Sequence, residues 1–112
     1  MKHFWNPEEI APRTLAPGIT AKIAWGEKAM LSLITLEPDS AVPPHSHPHE
    51  QIGILMSGAM ELTIEGETRR LSGNELYLVP GGVLHSAKAG PGGALAVEAF
   101  SPPREEYKSP AG

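Results

Sequence analysis

The sequence contains no cysteine, which excludes disulfide bonds and thiolate metal sites. No stretch approaches the roughly 18 consecutive apolar residues of a transmembrane helix, and the N-terminal segment MKHFWNPEEIAP lacks the apolar run of a signal peptide. Basic residues are sparse: the net charge is −4, and no basic cluster exceeds the pair Arg69-Arg70. We therefore expect a cytoplasmic protein that binds neither nucleic acid nor membrane.

Glycine and proline are abundant instead, at 12 residues each of 112, which indicates many turns and short strands rather than long helices. Residues 59–65 alternate between apolar Met60, Leu62 and Ile64 and polar neighbours, as a strand with one buried face does. The Glu65-Gly66-Glu67 segment after them has the composition of a hairpin turn. Other short apolar runs between turn residues lie at 29–36, 51–56, 75–79 and 94–100. About seven or eight such strands predict an all-β sandwich or barrel.

The length fits a single domain with one hydrophobic core. We expect an irregular N-terminal arm over residues 1–18, a barrel over residues 19–101 and a polar, proline-containing tail over residues 102–112. Within the arm, Asn6 precedes Pro7 and two glutamates, which suits the cap of one short helical turn.

Four of the five histidines lie between residues 45 and 85. Alternate residues of a strand share a face, so His45 and His47 point the same way, about 6.6 Å apart along the strand, and can converge on one metal ion. Gln51 can join them only if the chain turns around Pro48 and returns on the neighbouring strand. His85 is the remaining candidate ligand, so we predict one metal held by these four side chains.

The remaining two histidines are not predicted to be metal ligands. His49 is one imidazole more than the site needs, and we expect it beside the site or at the surface. His3 lies in the arm and has no predicted role. Since no sulfur ligand is available, the expected ion is Mn, Fe, Co, Ni or Zn, and the sequence does not choose among them.

The spacing of these residues resembles the two motifs of the cupin family, H-x-H-x(3,4)-E with a later glycine and P-x-G-x-x-H. The matching segments are HSHPHEQ at 45–51, followed by Gly58, and PGGVLH at 80–85. The resemblance covers about residues 20–100 and implies a double-stranded β-barrel, the jelly roll. It departs at Gln51, where the family usually has glutamate. Three imidazoles and an amide leave the full charge of a divalent ion, which favours an anionic ligand.

The string HSHPHEQIG and the segment from Glu98 to Tyr107 resemble a narrower group, the small pectin-degradation cupins that linearise 4,5-unsaturated uronates to 5-keto-4-deoxyuronate. The resemblance implies that Glu98, Phe100 and Arg104 are catalytic; members typically have aspartate at the first of these positions. A carboxylate such as Glu98 can move protons during ring opening. Arg104 would hold the uronate carboxylate in a two-bond fork, and Phe100 would pack against the sugar ring.

Two other functions fit the same sequence. One is a non-catalytic module that binds a sugar or another small molecule, and the other is a metal-dependent dioxygenase. The acidic Glu98 and the amide at Gln51 favour the uronate enzyme. Cupins of this size are often homodimers in which the N-terminal arm crosses to the partner, a position that Phe4 and Trp5 would suit. No segment resembles a helix-turn-helix, so a DNA-bound regulator is not expected.

Overall fold

The computed structural model describes residues 2–108, which form eight β-strands and two 3-10 turns. All the strand pairings are antiparallel, so the prediction of an all-β fold is confirmed. The strands are β1 (Arg13–Ala16), β2 (Ile19–Trp25), β3 (Met30–Leu36), β4 (Ala41–His45), β5 (Glu50–Ile64), β6 (Glu67–Ser72), β7 (Leu76–Val79) and β8 (His85–Ser101); the turns are Pro7–Glu9 and Glu105–Tyr107. Among residues 2–108 no helix is long and apolar enough to cross a membrane.

Two long strands, β5 and β8, belong to both halves of the barrel. The first half of β5 and the second half of β8 pair with each other and with β7 and β3, and β2 and β1 continue this side. The second half of β5 and the first half of β8 pair with each other and with β6 and β4. The two sides face each other as the two sheets of a jelly roll, as the sequence predicted.

Both long strands change sides at a glycine. Gly58 in β5 has φ +80° and Gly93 in β8 has φ +75°, and the pairing register shifts on either side of Gly58. A Cβ at Gly58 would overlap the carbonyl oxygen of Gly93. The two backbones therefore touch at the bend, where only glycine fits. Because the strands fold back here, both ends of β5 and both ends of β8 reach the opposite, open end of the barrel.

The core fills the space between the two sheets. Alternate residues along each strand face inward and form this core. Met60 and Leu62 are therefore buried while Glu61 between them is exposed, as predicted. The largest fully buried apolar side chains are Ile19, Met30, Leu55 and Val79.

Several predicted boundaries were wrong. The expected break at 57–58 is a bend within continuous β5, and the last strand begins at His85 rather than at residue 94. The arm is not irregular throughout, since Arg13–Ala16 forms β1 and pairs with β2. In β5 and β8 the strand continues through glycine-containing sequence, at residues 57–58 and 90–93, that resembles a turn.

The local turn predictions held. The side chain of Asn6 accepts a hydrogen bond from the backbone N–H of Glu8 (3.0 Å) and caps the 3-10 turn that begins at Pro7. Glu65 and Gly66 both have positive φ, 51° and 84°, as a tight hairpin turn between β5 and β6 requires.

Candidate metal centre and active site

Three histidines meet at the open end of the barrel. His45 ends β4 and lies in register with His85, the first residue of β8. His47 follows β4 in the connection to β5. The expectation that His45 and His47 lie on one strand was therefore wrong. The ring centroids of His45 and His85 are 4.2 Å apart, and those of His47 and His85 are 4.8 Å apart. One ligand atom from each histidine lies within 4.8 Å of the other two, so the three could hold a metal ion.

A backbone carbonyl orients each of these imidazoles. The Nδ1 atoms of His45, His47 and His85 lie 2.9, 3.1 and 2.9 Å from the carbonyl oxygens of Pro43, His49 and Val83. A carbonyl oxygen only accepts, so the neutral rings of His45 and His85 donate from Nδ1 and keep the lone pair on Nε2. His47 faces an acceptor at each nitrogen, because its Nε2 also lies 3.1 Å from Oε1 of Gln51. The Nε2 atom of His85 is buried and has no hydrogen-bond partner in the described part of the chain. With its proton on Nδ1, His47 offers a third Nε2 lone pair close to those of His45 and His85, and three such imidazoles are a donor set that a divalent cation takes.

Burial keeps two of these rings neutral. Desolvation, followed by the positive charge of Arg104, lowers the pKa of His47 to about 4. Desolvation also lowers the pKa of His85. An imidazole binds a metal only when it is unprotonated, so both rings are in the binding form at neutral pH.

Gln51 connects the histidines to a buried carboxylate. The chain turns around Pro48 and returns as β5, as predicted, but the first half of β5, which carries Gln51, does not pair with β4 and lies on the other side of the barrel. The Oε1 atom of Gln51 is 3.1 Å from Nε2 of His47, and its Nε2 donates to Oε2 of Glu98 (2.8 Å). The amide therefore turns its oxygen toward the histidines and its N–H toward the acid.

Glu98 receives a second hydrogen bond, from the hydroxyl of Tyr77 (2.6 Å). Burial raises the pKa of Glu98 above its ordinary value, while the hydrogen bonds from Tyr77 and Gln51 act in the opposite direction. Burial also raises the pKa of Tyr77, so its hydroxyl remains a donor throughout the neutral range.

Arg104 lies on the tail that follows β8 and stacks on two aromatic rings. Its guanidinium is 5.3 Å from the centre of the Phe100 ring and 4.2 Å from that of Tyr107. Its Nε is buried and has no hydrogen-bond partner among residues 2–108, and its ion pair with Glu106 is long at 3.7 Å. The stacking holds the guanidinium in place and leaves donors for an anion.

A cavity of about 260 Å³ opens between these groups. Six of the seven predicted site residues line it, namely His45, Gln51, His85, Glu98, Phe100 and Arg104. The seventh, His47, is buried against Gln51 and the Phe100 ring. Leucine, isoleucine, alanine and methionine side chains form much of the remaining wall. The cavity thus offers a few convergent polar groups on an apolar surface, as small-molecule sites do.

The cavity wall also includes two tyrosines that were not predicted as site residues, Tyr77 and Tyr107. Tyr77 occupies an inward position of β7 between leucines, and a buried tyrosine usually finds a partner for its hydroxyl. The sequence could therefore have indicated that the Tyr77 hydroxyl has a partner, but not that the partner is Glu98. His49 is half-buried beside the site, with its ring 5.4 Å from that of His47, and His3 is exposed.

Comparison with known proteins agrees with this geometry. The family model described as "Cupin domain" matches residues 32–99. The chain is 28% identical over 109 residues to the pectin degradation protein KdgF of Dickeya dadantii (strain 3937), covering 96% of this chain and 99% of that protein. It superposes on the structure of KdgF from Halomonas sp. with a TM-score of 0.87 and 32% identity, covering 96% and 99% of the two chains. An RmlC-like cupin from Shewanella frigidimarina NCIMB 400 has the same fold, with a TM-score of 0.89, 23% identity and 96% of each chain covered.

Proposed function

Because the chain belongs to the cupin family, within the branch that contains the KdgF proteins, we propose that it opens the ring of 4,5-unsaturated uronates to give linear 5-keto-4-deoxyuronates. Such uronates are released when lyases cleave pectin- or alginate-type polysaccharides. The observation that carries the proposal is one cavity lined by the His45 and His85 imidazoles, a carboxylate with a raised pKa and a guanidinium whose buried Nε has no partner among the described residues.

We assign the metal to His45, His47, His85 and the side-chain oxygen of Gln51. The fit is supported by the outward Nδ1 hydrogen bonds and by the buried, unpartnered Nε2 of His85. Nitrogen and amide oxygen donors without sulfur suit Mn, Fe, Co, Ni or Zn. When bound, such an ion supplies positive charge that orients an anionic substrate and stabilises developing negative charge.

Arg104 and Phe100 would hold the substrate. The guanidinium can form two parallel hydrogen bonds to the uronate carboxylate, and its free Nε is one of the donors that this fork needs. The Phe100 ring lies beneath the guanidinium and lines the cavity, where it can pack against the sugar ring. The substrate is therefore expected to be a small anionic sugar.

Glu98 would transfer the proton. Its carboxylate accepts the proton of the C1 hydroxyl while the C1–O5 bond breaks, which yields the C1 aldehyde and an enolate at C5. The protonated acid then donates to C4, which completes the 5-keto product and restores the carboxylate. The raised pKa of Glu98 suits it to both halves of this exchange.

The test is an assay with purified protein and 4,5-unsaturated galacturonate, following loss of the alkene absorbance. The ring also opens without a catalyst, so only a rate above the no-protein control counts. We expect acceleration that is lost with a chelator and in Glu98→Ala, and that is retained in Glu61→Ala, a matched change of an exposed glutamate. Metal-bound protein without acceleration would refute the proposal, and oxygen uptake by an iron-loaded sample would favour the dioxygenase instead.

We also propose that the protein is a homodimer. Leu31, Ile52, Leu78 and Leu95 lie on the outer face of the sheet formed by β3, β8, β5 and β7, and each is 45 to 50% exposed. A contiguous apolar face of this kind suits a second copy of the chain. Phe4 is 90% exposed and could join the interface, whereas Trp5 packs on Trp25 of its own chain at 4.9 Å. Light scattering on a size-exclusion column should give the mass of two chains.

A cytoplasmic location stays a proposal from the sequence, because a chain without cysteine fits a reducing compartment.

A further inference from the structure

Three strands place Tyr77, Gly53 and Glu98 in one row. Tyr77 of β7 is in register with Gly53 of β5, and Gly53 is in register with Glu98 of β8. Residues in register across a sheet point to the same face. Tyr77 and Glu98 therefore stand two strand spacings apart, about 9.6 Å, with Gly53 between them.

The absence of a side chain at Gly53 allows Tyr77 to reach Glu98. A Cβ at Gly53 would lie 2.6 Å from both Cζ and the hydroxyl oxygen of Tyr77, and 2.8 Å from its Cε2. The phenol ring therefore lies flat across the backbone of β5, where any other residue would place a side chain. From there its hydroxyl reaches Oε2 of Glu98 at 2.6 Å.

We propose that Tyr77, laid across Gly53, is a positioning residue that holds Glu98 ready for proton transfer; this inference rests on the proposed function. Both hydrogen bonds that described residues donate to the carboxylate, from Tyr77 and from Gln51, end on Oε2. Oε1 is thereby left as the oxygen that exchanges protons with the substrate. The same contacts keep the Gln51 amide turned with its oxygen toward His47.

The first test compares Tyr77→Phe with the wild type. The variant keeps the ring over Gly53 and removes only the donor. We expect kcat to fall about 10- to 100-fold, as for loss of one hydrogen bond to a charged group, while KM and bound-metal content stay near wild-type values. A purely structural role would lower the melting temperature and metal content and would not single out kcat. Unchanged kcat in Tyr77→Phe would overturn the inference.

A substitution at Gly53 tests the same contact between Tyr77 and Glu98. Gly53→Ala should displace the ring and lower kcat by a similar factor, and the double variant with Tyr77→Phe should lose little more, since both changes break one contact. Gly92→Ala is the matched control, because a Cβ at Gly92 meets nothing within 4 Å and its φ is not left-handed. Full additivity of the two losses would contradict the shared mechanism.

A crystal structure of Tyr77→Phe separates this inference from the proposed function. If the wild type proves inactive on unsaturated uronates, the proposed function fails, but the positioning role still predicts that the Glu98 carboxylate shifts or turns in the variant. A carboxylate that stays in its wild-type position would overturn the positioning role, even if the wild type is active.

Discussion

The bend at Gly58 can be tested by a pair of substitutions that separates backbone strain from collision. Gly58 and Gly66 have nearly the same left-handed φ, 80° and 84°. A Cβ at Gly66 would meet nothing within 4 Å, whereas one at Gly58 would overlap the Gly93 carbonyl oxygen and lie 2.9 Å from Cα of Ala94. Gly66→Ala therefore introduces only the left-handed alanine, at about 1 to 2 kcal/mol. Gly58→Ala adds a collision with backbone that cannot move aside.

We expect Gly66→Ala to lower the free energy of unfolding by about 1 to 2 kcal/mol and Gly58→Ala to lower it by at least about 3 kcal/mol more. For a chain of 112 residues, about 1 kcal/mol corresponds to roughly 4 °C in melting temperature. The two variants should thus differ by more than about 10 °C in thermal unfolding followed by circular dichroism. Gly58→Ala should also bind metal more weakly, since the bend brings both ends of β5 and β8 to the site. Equal losses in the two variants would refute the contact between the bent strands.

Three further predictions concern the site. Arg104→Lys should raise KM for the uronate by about 10- to 100-fold with a smaller change in kcat, because lysine cannot form the two-bond fork; an unchanged KM in steady-state kinetics would contradict this role. His85→Ala should lose bound metal measured by elemental analysis, whereas His3→Ala, in the exposed arm, should keep it. Burial raises the pKa of Tyr77 and Tyr107, so above about pH 10 the unfolded chain releases protons that the native state keeps. The free energy of unfolding should then fall as pH rises, by up to about 1.4 kcal/mol per pH unit for each tyrosine. Urea titrations from pH 9 to 11 should show a shallower decline in Tyr77→Phe, and equal slopes would contradict its burial as a neutral phenol.

The all-β fold and the candidate metal ligands could be predicted from short patterns of residues, whereas Glu98, Phe100 and Arg104 followed only from the family resemblance. The alternation of Met60, Leu62 and Ile64 marks a strand face without reference to any other part of the chain. The spacing of His45, His47 and Gln51, followed by His85, is likewise readable as a pattern of letters. Turn chemistry at Asn6 and at Glu65-Gly66 depends on neighbours within three residues, and the structure confirms both.

The sequence could not show the bend or the pairing partners, because both depend on contacts between distant segments. Gly58 and Gly93 are 35 positions apart, and each resembles an ordinary turn glycine until the two backbones are seen to touch. For the same reason β5 was divided in two at Gly58 and the first half of β8 was missed. Tyr77 was not predicted as a site residue because its contact with Glu98 depends on the missing side chain at Gly53, and a glycine in a strand gives no sign of what lies over it.

The departure from the usual cupin motif and the acid in the cavity have a common explanation in this geometry. The side-chain N–H of Gln51 donates to Glu98 at 2.8 Å, and the Tyr77 hydroxyl donates to the same oxygen. A glutamate at position 51 would bring two carboxylates into contact, and like charges that close cannot both remain ionised. One of the two would take up a proton, so Glu98 would either lose its charge or share a proton with residue 51. The amide instead offers an oxygen toward the histidines and a donor to the acid, so in the proposed mechanism one side chain would serve the metal site and favour the charged form of Glu98.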